Sequence, residues 1–234
     1  MSGRVAVVTG ANRGIGRELA AQLAAAGDIV ILTARDHRKA QDAADALARP
    51  GAGGALTPHR LDVTDPSSVA ALAEFVGERF GRLDVLVNNA AIHYDMQQLA
   101  GTADLTIVRE ALETNLLGAW QVTQALLPLL RRSGHGRIVN VSSEGGSLTN
   151  MGGGIPAYRT SKAALNALTR MLAAELRADR ILVNSVCPGW VATDMGGPGG
   201  RPVEEGAGSI LWAIDLPDAG PTGGFYRDGR PLPW

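Results

Sequence analysis

Short apolar runs alternate along this chain with longer amphipathic ones. Arg4-Val5-Ala6-Val7-Val8 is a compact, β-branched run that stops at Thr9-Gly10-Ala11-Asn12-Arg13-Gly14-Ile15-Gly16, ahead of an Ala/Leu-rich stretch from Arg17 to about Ala26. The pattern is strand, glycine turn, helix. Asp28 to Thr33 and Leu56 to Leu61 give a second and a third strand, separated by a polar-faced helix from His37 to Arg49 that Pro50-Gly51-Ala52-Gly53-Gly54 ends. Asp65, with Pro66 next, caps a helix to about Phe80. Leu83 to Val87 reads as a fourth strand, Leu105 to about Leu130 as one long Leu-rich helix, and Arg137 to Val141 as a fifth strand. Ala157 to about Arg177 is a helix with a broad apolar face, and Ile181 to Val186 is a sixth strand. Val191 to Arg201 is glycine-rich and lacks periodicity, which predicts a mobile loop over a site. A short helix from Pro202 to Leu216 and a last strand at Gly223 to Tyr226 precede the Pro231-Leu232-Pro233-Trp234 tail.

Five or more β-α alternations, with no comparable run of strands alone, predict the α/β class: a single-domain, doubly wound (Rossmann-type) parallel sheet with helices on both faces. The texture nowhere breaks into halves, so residues 1–234 read as one domain with a substrate loop at about 190–202. Ligands of such sheets bind at the carboxyl ends of the strands. Gly10, Asn89, Ser143 and Pro188 all fall at predicted strand ends.

Composition narrows the chemistry. A 45% apolar and 19% charged chain is ordinary for a globular protein with a sizeable core. A formal net charge of -1, with no long basic run and few aromatic residues, excludes an electrostatic footprint for nucleic acid. No apolar stretch is long enough to span a bilayer and Met1 leads straight into a strand, so a cytoplasmic location without membrane contact is expected. The single cysteine, Cys187, excludes an intrachain disulfide, and His37, His59, His93 and His135 are scattered surface or loop residues without metal-ligand spacing. A small molecule is the expected partner.

Several residues carry candidate chemistry. Gly10, Gly14 and Gly16 let the backbone turn sharply and approach a ligand, while the start of the following helix attracts phosphate. Arg35 ends the second strand where dinucleotide folds distinguish a 2′-phosphate from a ribose diol, and Arg13 is placed to reach the same phosphate and clamp it. Asp36 either serves a 2′-hydroxyl or caps the next helix. Asp62 has an adenine amino group and a turn as equal claimants, and the adjacent Asn88 and Asn89 need backbone or ligand partners. Asn115, in the middle of a helix, is either a satisfied structural residue or the holder of a water or local bulge. Ser143, next to Ser142, either bonds a substrate oxygen or satisfies its turn. Tyr158 and Lys162, four apart on one helix, share a face; an ammonium beside a phenol favours the phenolate and makes the tyrosine a competent acid/base. Read alone, such a pair is more often an ordinary helix surface, the lysine solvated and the ring half buried.

Thr9-Gly10-x-x-x-Gly14-x-Gly16, Asn88-Asn89-Ala90, Asn115, Ser143, Tyr158-x-x-x-Lys162 and Pro188-Gly189 together resemble the short-chain dehydrogenase/reductase family, over essentially the whole chain and in the family's order. The resemblance implies that Tyr158 donates the proton during carbonyl reduction and that Ser143 holds the carbonyl oxygen. It implies that Lys162 binds the nicotinamide ribose and keeps Tyr158 acidic, and that Asn115 helps hold a relay water. By the same resemblance Gly10, Asn12, Arg13, Gly14, Ile15 and Gly16 meet the cofactor's phosphates and ribose. Asp62 and Val63 meet the adenine, Asn89 and Ala90 a ribose, and Pro188, Gly189, Val191 and Thr193 the nicotinamide end. Cys187 to Gly197 and Pro221 to Trp234 resemble the carbonyl-reductase branch, which implies NADP, with NADPH preferred over NADH.

Two positions depart from that pattern. Ala91 stands where the family usually has glycine, which sets the backbone slightly further from the cofactor. The segment Glu144 to Ala157 has no room for the long insertion of the monomeric carbonyl reductases, which implies a homodimer or homotetramer packed through the Leu105 and Tyr158 helices. The expected activity is NADPH-dependent hydride transfer to a ketone or aldehyde, reversibly an alcohol oxidation; the alternatives are a non-catalytic NADP(H) sensor and a different reaction, such as epimerisation, on the same fold. Trp190, Met151 and Ile155 hint at an apolar substrate pocket.

Overall fold

The computed structural model describes residues 3–48, 54–92 and 95–234, so the Pro50 to Gly53 stop and His93 lie outside the described residues. The elements run β1 Val5–Val8, α1 Gly14–Ala25, β2 Ile29–Ala34, α2 His37–Leu47, β3 Ala55–Arg60, α3 Pro66–Phe80 and β4 Val85–Asn88. They continue with α4 Leu105–Leu112, a π-helical turn Glu113–Gly118, α5 Ala119–Arg131, β5 Arg137–Val141, α6 Pro156–Glu175, β6 Leu182–Val186, α7 Val203–Ile214, β7 Phe225–Arg227 and β8 Arg230–Pro231. The described residues build an eight-stranded sheet in the order β3-β2-β1-β4-β5-β6-β7-β8, parallel from β3 through β7.

Alternate residues of each central strand supply two separate cores, which is why these strands are apolar on both faces for most of their length. Val7, Ile31, Leu86, Ile138 and Val183 face α3, α5 and α6 through Leu72, Val76, Leu126 and Leu165. Val8, Leu32, Val87, Val139 and Val186 face α1, α2 and α7 through Leu19, Leu23, Ala40 and Ile210. The expected doubly wound sheet is therefore present, and no helix of the described residues is long and apolar enough to cross a membrane.

A buried chain of polar side chains crosses the first of these cores. Asn88 pairs in register with Asn140, and Asn140 with Ser185. Asn88 Nδ2 donates to Asn140 Oδ1 at 2.8 Å and to Thr123 Oγ1 at 3.0 Å. Asn140 Nδ2 donates to Thr169 Oγ1, which in turn shares a 2.8 Å hydrogen bond with Ser185 Oγ. Asn88 Nδ2 thus finds both its partners inside the protein, whereas its buried Oδ1 has none among the described residues.

The structure corrects two expectations. The helix from Leu105 to Leu130 is not continuous: the π-helical turn interrupts it at Asn115, whose side chain is drawn off to the backbone of Ile92. The last parallel strand lies at Phe225–Arg227 rather than Gly223 to Tyr226, and it returns through Asp228 (φ 52) and Gly229 (φ 74) into the antiparallel β8. Asp-Gly with both φ values positive is a two-residue hairpin turn, a signal the short, charged flanks had masked. His59 lies in strand β3, within the expected third strand, its Nδ1 against Arg60 O and its ring 4.8 Å from that of Phe75.

Candidate active site

The strand order reverses between β1 and β4, and a cavity of about 620 Å³ opens outside the carboxyl ends of β1, β4, β5 and β6. Gly10, which follows β1, has φ +63, and a Cβ there would stand 2.9 Å from Ala90 Cα; one on Gly16 would stand 2.5 Å from Asn89 Nδ2. The two strand ends are also hydrogen-bonded together. Thr9 Oγ1 accepts from the N–H groups of Asn89 and Ala90 at 2.9 Å each, while Asn89 Nδ2 donates to the carbonyls of Thr9 and Gly10. The glycine turn is held open by contacts that only glycine permits.

Helix α1 begins on this turn with no side chain capping it and no acidic residue in its first turn. Its free N–H groups and positive dipole end therefore stand beside the cavity, together with Arg13 and Arg35. An uncapped helix start over a cradle that a Cβ would fill fits a diphosphate. Arg35 makes no ion pair among the described residues. Arg13 Nη1 lies 2.8 Å from Asp194 of the 191–201 loop; this pair is exposed and adds little to stability. Asp36 turns out to be the cap of α2, accepting from Arg38 N at 2.8 Å. Asp62 accepts from Thr64 N and Oγ1, yet still borders the cavity with Val63.

Ser143, Tyr158 and Lys162 line the same cavity, as do Asn12, Ile15, Pro188, Gly189, Val191 and Thr193. Tyr158 is buried to 8% exposure, and Lys162 Nζ lies 5.7 Å from the centre of its ring. Lys162 Nζ donates to Val141 O at 2.8 Å. Ser143 Oγ accepts from Gly145 N at 3.1 Å, and the fully buried Ser142 hydroxyl beside it has no partner in the structure. Gly146 brings this turn against α6, since a Cβ there would be 2.7 Å from the Lys162 carbonyl carbon. Asn115 does not line the cavity. It lies buried beneath it, accepting from Ile92 N at 2.9 Å and donating to Ile92 O and to Ser161 Oγ, while Ser161 Oγ donates to Tyr158 O. The π-helical turn realises the local bulge that a mid-helix asparagine implies.

Burial alone pushes the Lys162 ammonium down to about 8 from 10.5, with the nearby Cys187 sulfur acting weakly the other way. Below about pH 8 the lysine is protonated in folded and unfolded chains alike, and the whole cost of burying it is present. From there to 10.5 the unfolded chain holds more protons, so folding gains stability as the pH rises. The protein without cofactor should therefore gain about 3 kcal/mol relative to its Lys162→Met variant across that window. Urea unfolding of both proteins at pH 7.5 and 10.5 checks this; parallel pH profiles would show that Lys162 is not held in this way.

The 191–201 segment is less featureless than its composition. Val191 bridges to Arg201 and Thr193 to Gly197, and Trp190 Nε1 donates to Gly196 O at 2.6 Å. Trp190 and Ile155 border the cavity, Trp190 with 65% of its surface exposed, whereas Met151 is not among the lining residues. Sequence reasoning missed Asp95, Ser161 and Asp194. Asp95 and Asp194 act on residues far along the chain, and Ser161 joins a distant Asn115 to Tyr158 in its own helix, so no local pattern marks them. No group of three or more His, Cys, Asp or Glu residues among those described is arranged to hold a metal ion.

Comparison with known proteins bears on this geometry. The family model for short chain dehydrogenases matches residues 4–201. Short-chain dehydrogenase/reductase 1 of Saponaria officinalis is 36% identical, over 99% of this chain and 96% of that protein. Carbonyl reductase [NADPH] 1 of Sus scrofa is 37% identical, over 99% and 94%. Among solved structures, the NADPH-bound carbonyl reductase from chicken fatty liver superposes with a TM-score of 0.88 at 33% identity, each chain covered in full.

Proposed function

The chain belongs to the short-chain dehydrogenase/reductase family, oxidoreductases acting at CH–OH and C=O groups, and on that premise we propose that it is an NADPH-dependent reductase of ketones or aldehydes. The observation that carries this reading is the sharing of one cavity by the glycine turn, Arg35, Ser143, Tyr158 and Lys162. A carbonyl-reducing site needs a seat for the dinucleotide beside a proton donor, and that juxtaposition supports it. The NADPH-named relatives and the NADPH-bound neighbour add support.

In this reading NADPH, when bound, supplies the hydride. The N–H groups at the start of α1 hold its diphosphate, and Arg35 meets the 2′-phosphate. Lys162, anchored on Val141 O, would bind the nicotinamide ribose and lends positive charge to the neighbouring phenol. Ser143 donates to the carbonyl oxygen and fixes its place. Tyr158 delivers a proton to that oxygen as charge builds on it. Asn115 fixes the backbone of Ile92 on one side and, through Ser161, the carbonyl of Tyr158 on the other, the position from which a relay water is held. We propose a cytoplasmic homodimer or homotetramer; the exposed Leu105, Leu117 and Met171 on α4, the π-helical turn and α6 support a covered face there.

The test is NADPH consumption by the purified protein over aldehydes, α-diketones, quinones and cyclic ketones. Turnover on some members is expected; tight NADPH binding with no turnover on any would favour the sensor. Cofactor choice is checked separately. Arg35→Ala should weaken NADPH by about ten- to a hundredfold, the range of one charge-assisted contact, and NADH hardly at all. Equal losses for the two cofactors in a fluorescence titration would remove Arg35 from the 2′-phosphate.

A further inference from the structure

We propose that Asp95 is a positioning residue for the reaction: its buried carboxylate caps, from a distant loop, the helix that carries Tyr158 and Lys162, and so sets where the phenol stands. The proposal rests on the assignment of Tyr158 as the proton donor.

Helix α6 cannot cap itself. The residue at its N-cap position is Ile155, in the left-handed region at φ 45 and ψ 50, with no capping side chain, and Pro156 follows. A β-carbon-branched side chain in that region is strained by about 1 to 3 kcal/mol and persists only where its surroundings hold it there. The N–H groups of Ala157 and Tyr158 are the donors that a local Ser, Thr or Asp would satisfy. Here Asp95 does so from the β4–α4 connection, Oδ2 accepting from Ala157 N at 2.9 Å and Oδ1 from Tyr158 N at 3.2 Å. Its residue exposure is 9%. Asp95 forms no ion pair among the described residues, so the two N–H groups and the positive end of α6 are what compensate its charge.

The fork acts directly on the peptide of the tyrosine. Tyr158 lies in the first turn of α6, where an uncapped helix frays, while Lys162 lies one turn further in with its own anchor on Val141 O. Loss of the carboxylate therefore loosens the phenol and leaves the cofactor-side lysine in place. A general structural defect would instead weaken both together.

The experiment compares Asp95→Ala and Asp95→Asn with the wild type, with turnover expressed per NADPH-binding site counted by fluorescence titration, so that unfolded molecules drop out. Asp95→Ala should lower kcat per site by about ten- to a hundredfold, the scale of an ångström-sized misplacement, with the NADPH Kd within about twofold of wild type because Lys162 keeps its own anchor. Asp95→Asn, which keeps one acceptor oxygen, should recover part of that loss. Wild-type kcat per site in Asp95→Ala would overturn the proposal, as would a fall in kcat matched by an equal loss of NADPH affinity. A Tyr158→Phe protein run alongside separates the two readings. If it retains turnover, the assignment of Tyr158 fails; if it is inactive and Asp95→Ala is not impaired, only the role of Asp95 fails.

Discussion

The Tyr158→Phe protein should lose turnover by about a hundred- to ten-thousandfold, the contribution of a well-placed general acid, and still bind NADPH as the wild type does. The replacement removes one oxygen and leaves the ring, which is buried in α6 and lies beside Lys162 Nζ. Its backbone bonds to Asp95 and Ser161 are untouched. Single-turnover kinetics with NADPH and any accepted carbonyl measure the loss, and a titration of NADPH fluorescence measures the binding. A variant that still turns over at more than a tenth of the wild-type rate would show that the proton comes from elsewhere.

Substituting Gly146 by alanine should damage both stability and catalysis, without touching any proposed contact to cofactor or substrate. An added Cβ would stand 2.7 Å from the Lys162 carbonyl carbon and 2.9 Å from Ala163 N, atoms of the α6 backbone that have no rotamer to retreat into. Helix and turn must part. The expected cost is about 1 to 3 kcal/mol, as for an overpacked core. Because Ser143 is on one side of that contact and Tyr158 with Lys162 on the other, kcat should fall with it, by up to about a hundredfold for an ångström of displacement. Gly153 is the control, since nothing lies within 4 Å of a Cβ built there. Urea unfolding and kcat of the two alanine variants give the comparison; equal behaviour would mean that the turn yields at Gly146 without moving the helix.

The parts of the fold that could be read from the sequence are those whose cause is local. Val5–Val8 is apolar because both faces of the strand are covered, and Asp65 with Pro66 marks a helix start through chemistry confined to neighbouring residues. The break at Asn115 was marked only by the asparagine itself, as one of two readings, because a π-helical turn inserts a residue without disturbing the apolar composition around it. Side-chain direction was hidden. Arg13 bonds Asp194, 181 positions away, and Asp95 reaches Ala157 across 62 positions. A lone aspartate in a loop resembles any turn residue until its partner is brought to it.

The buried chain from Asn88 through Asn140 and Thr169 to Ser185 has a consequence for how this part of the protein can change over generations. Replacing one member by an apolar residue leaves its neighbours without partners, at about 1 to 3 kcal/mol for each orphaned group, whereas exchanging adjoining members together costs far less. Their effects are therefore strongly non-additive, and single steps away from the present set all lead downhill. Thr123 and Thr169, which tie α5 and α6 to the sheet, are expected to change only together with the asparagines they bond. The loops that shape the substrate end lie outside that set and are free to diverge one residue at a time.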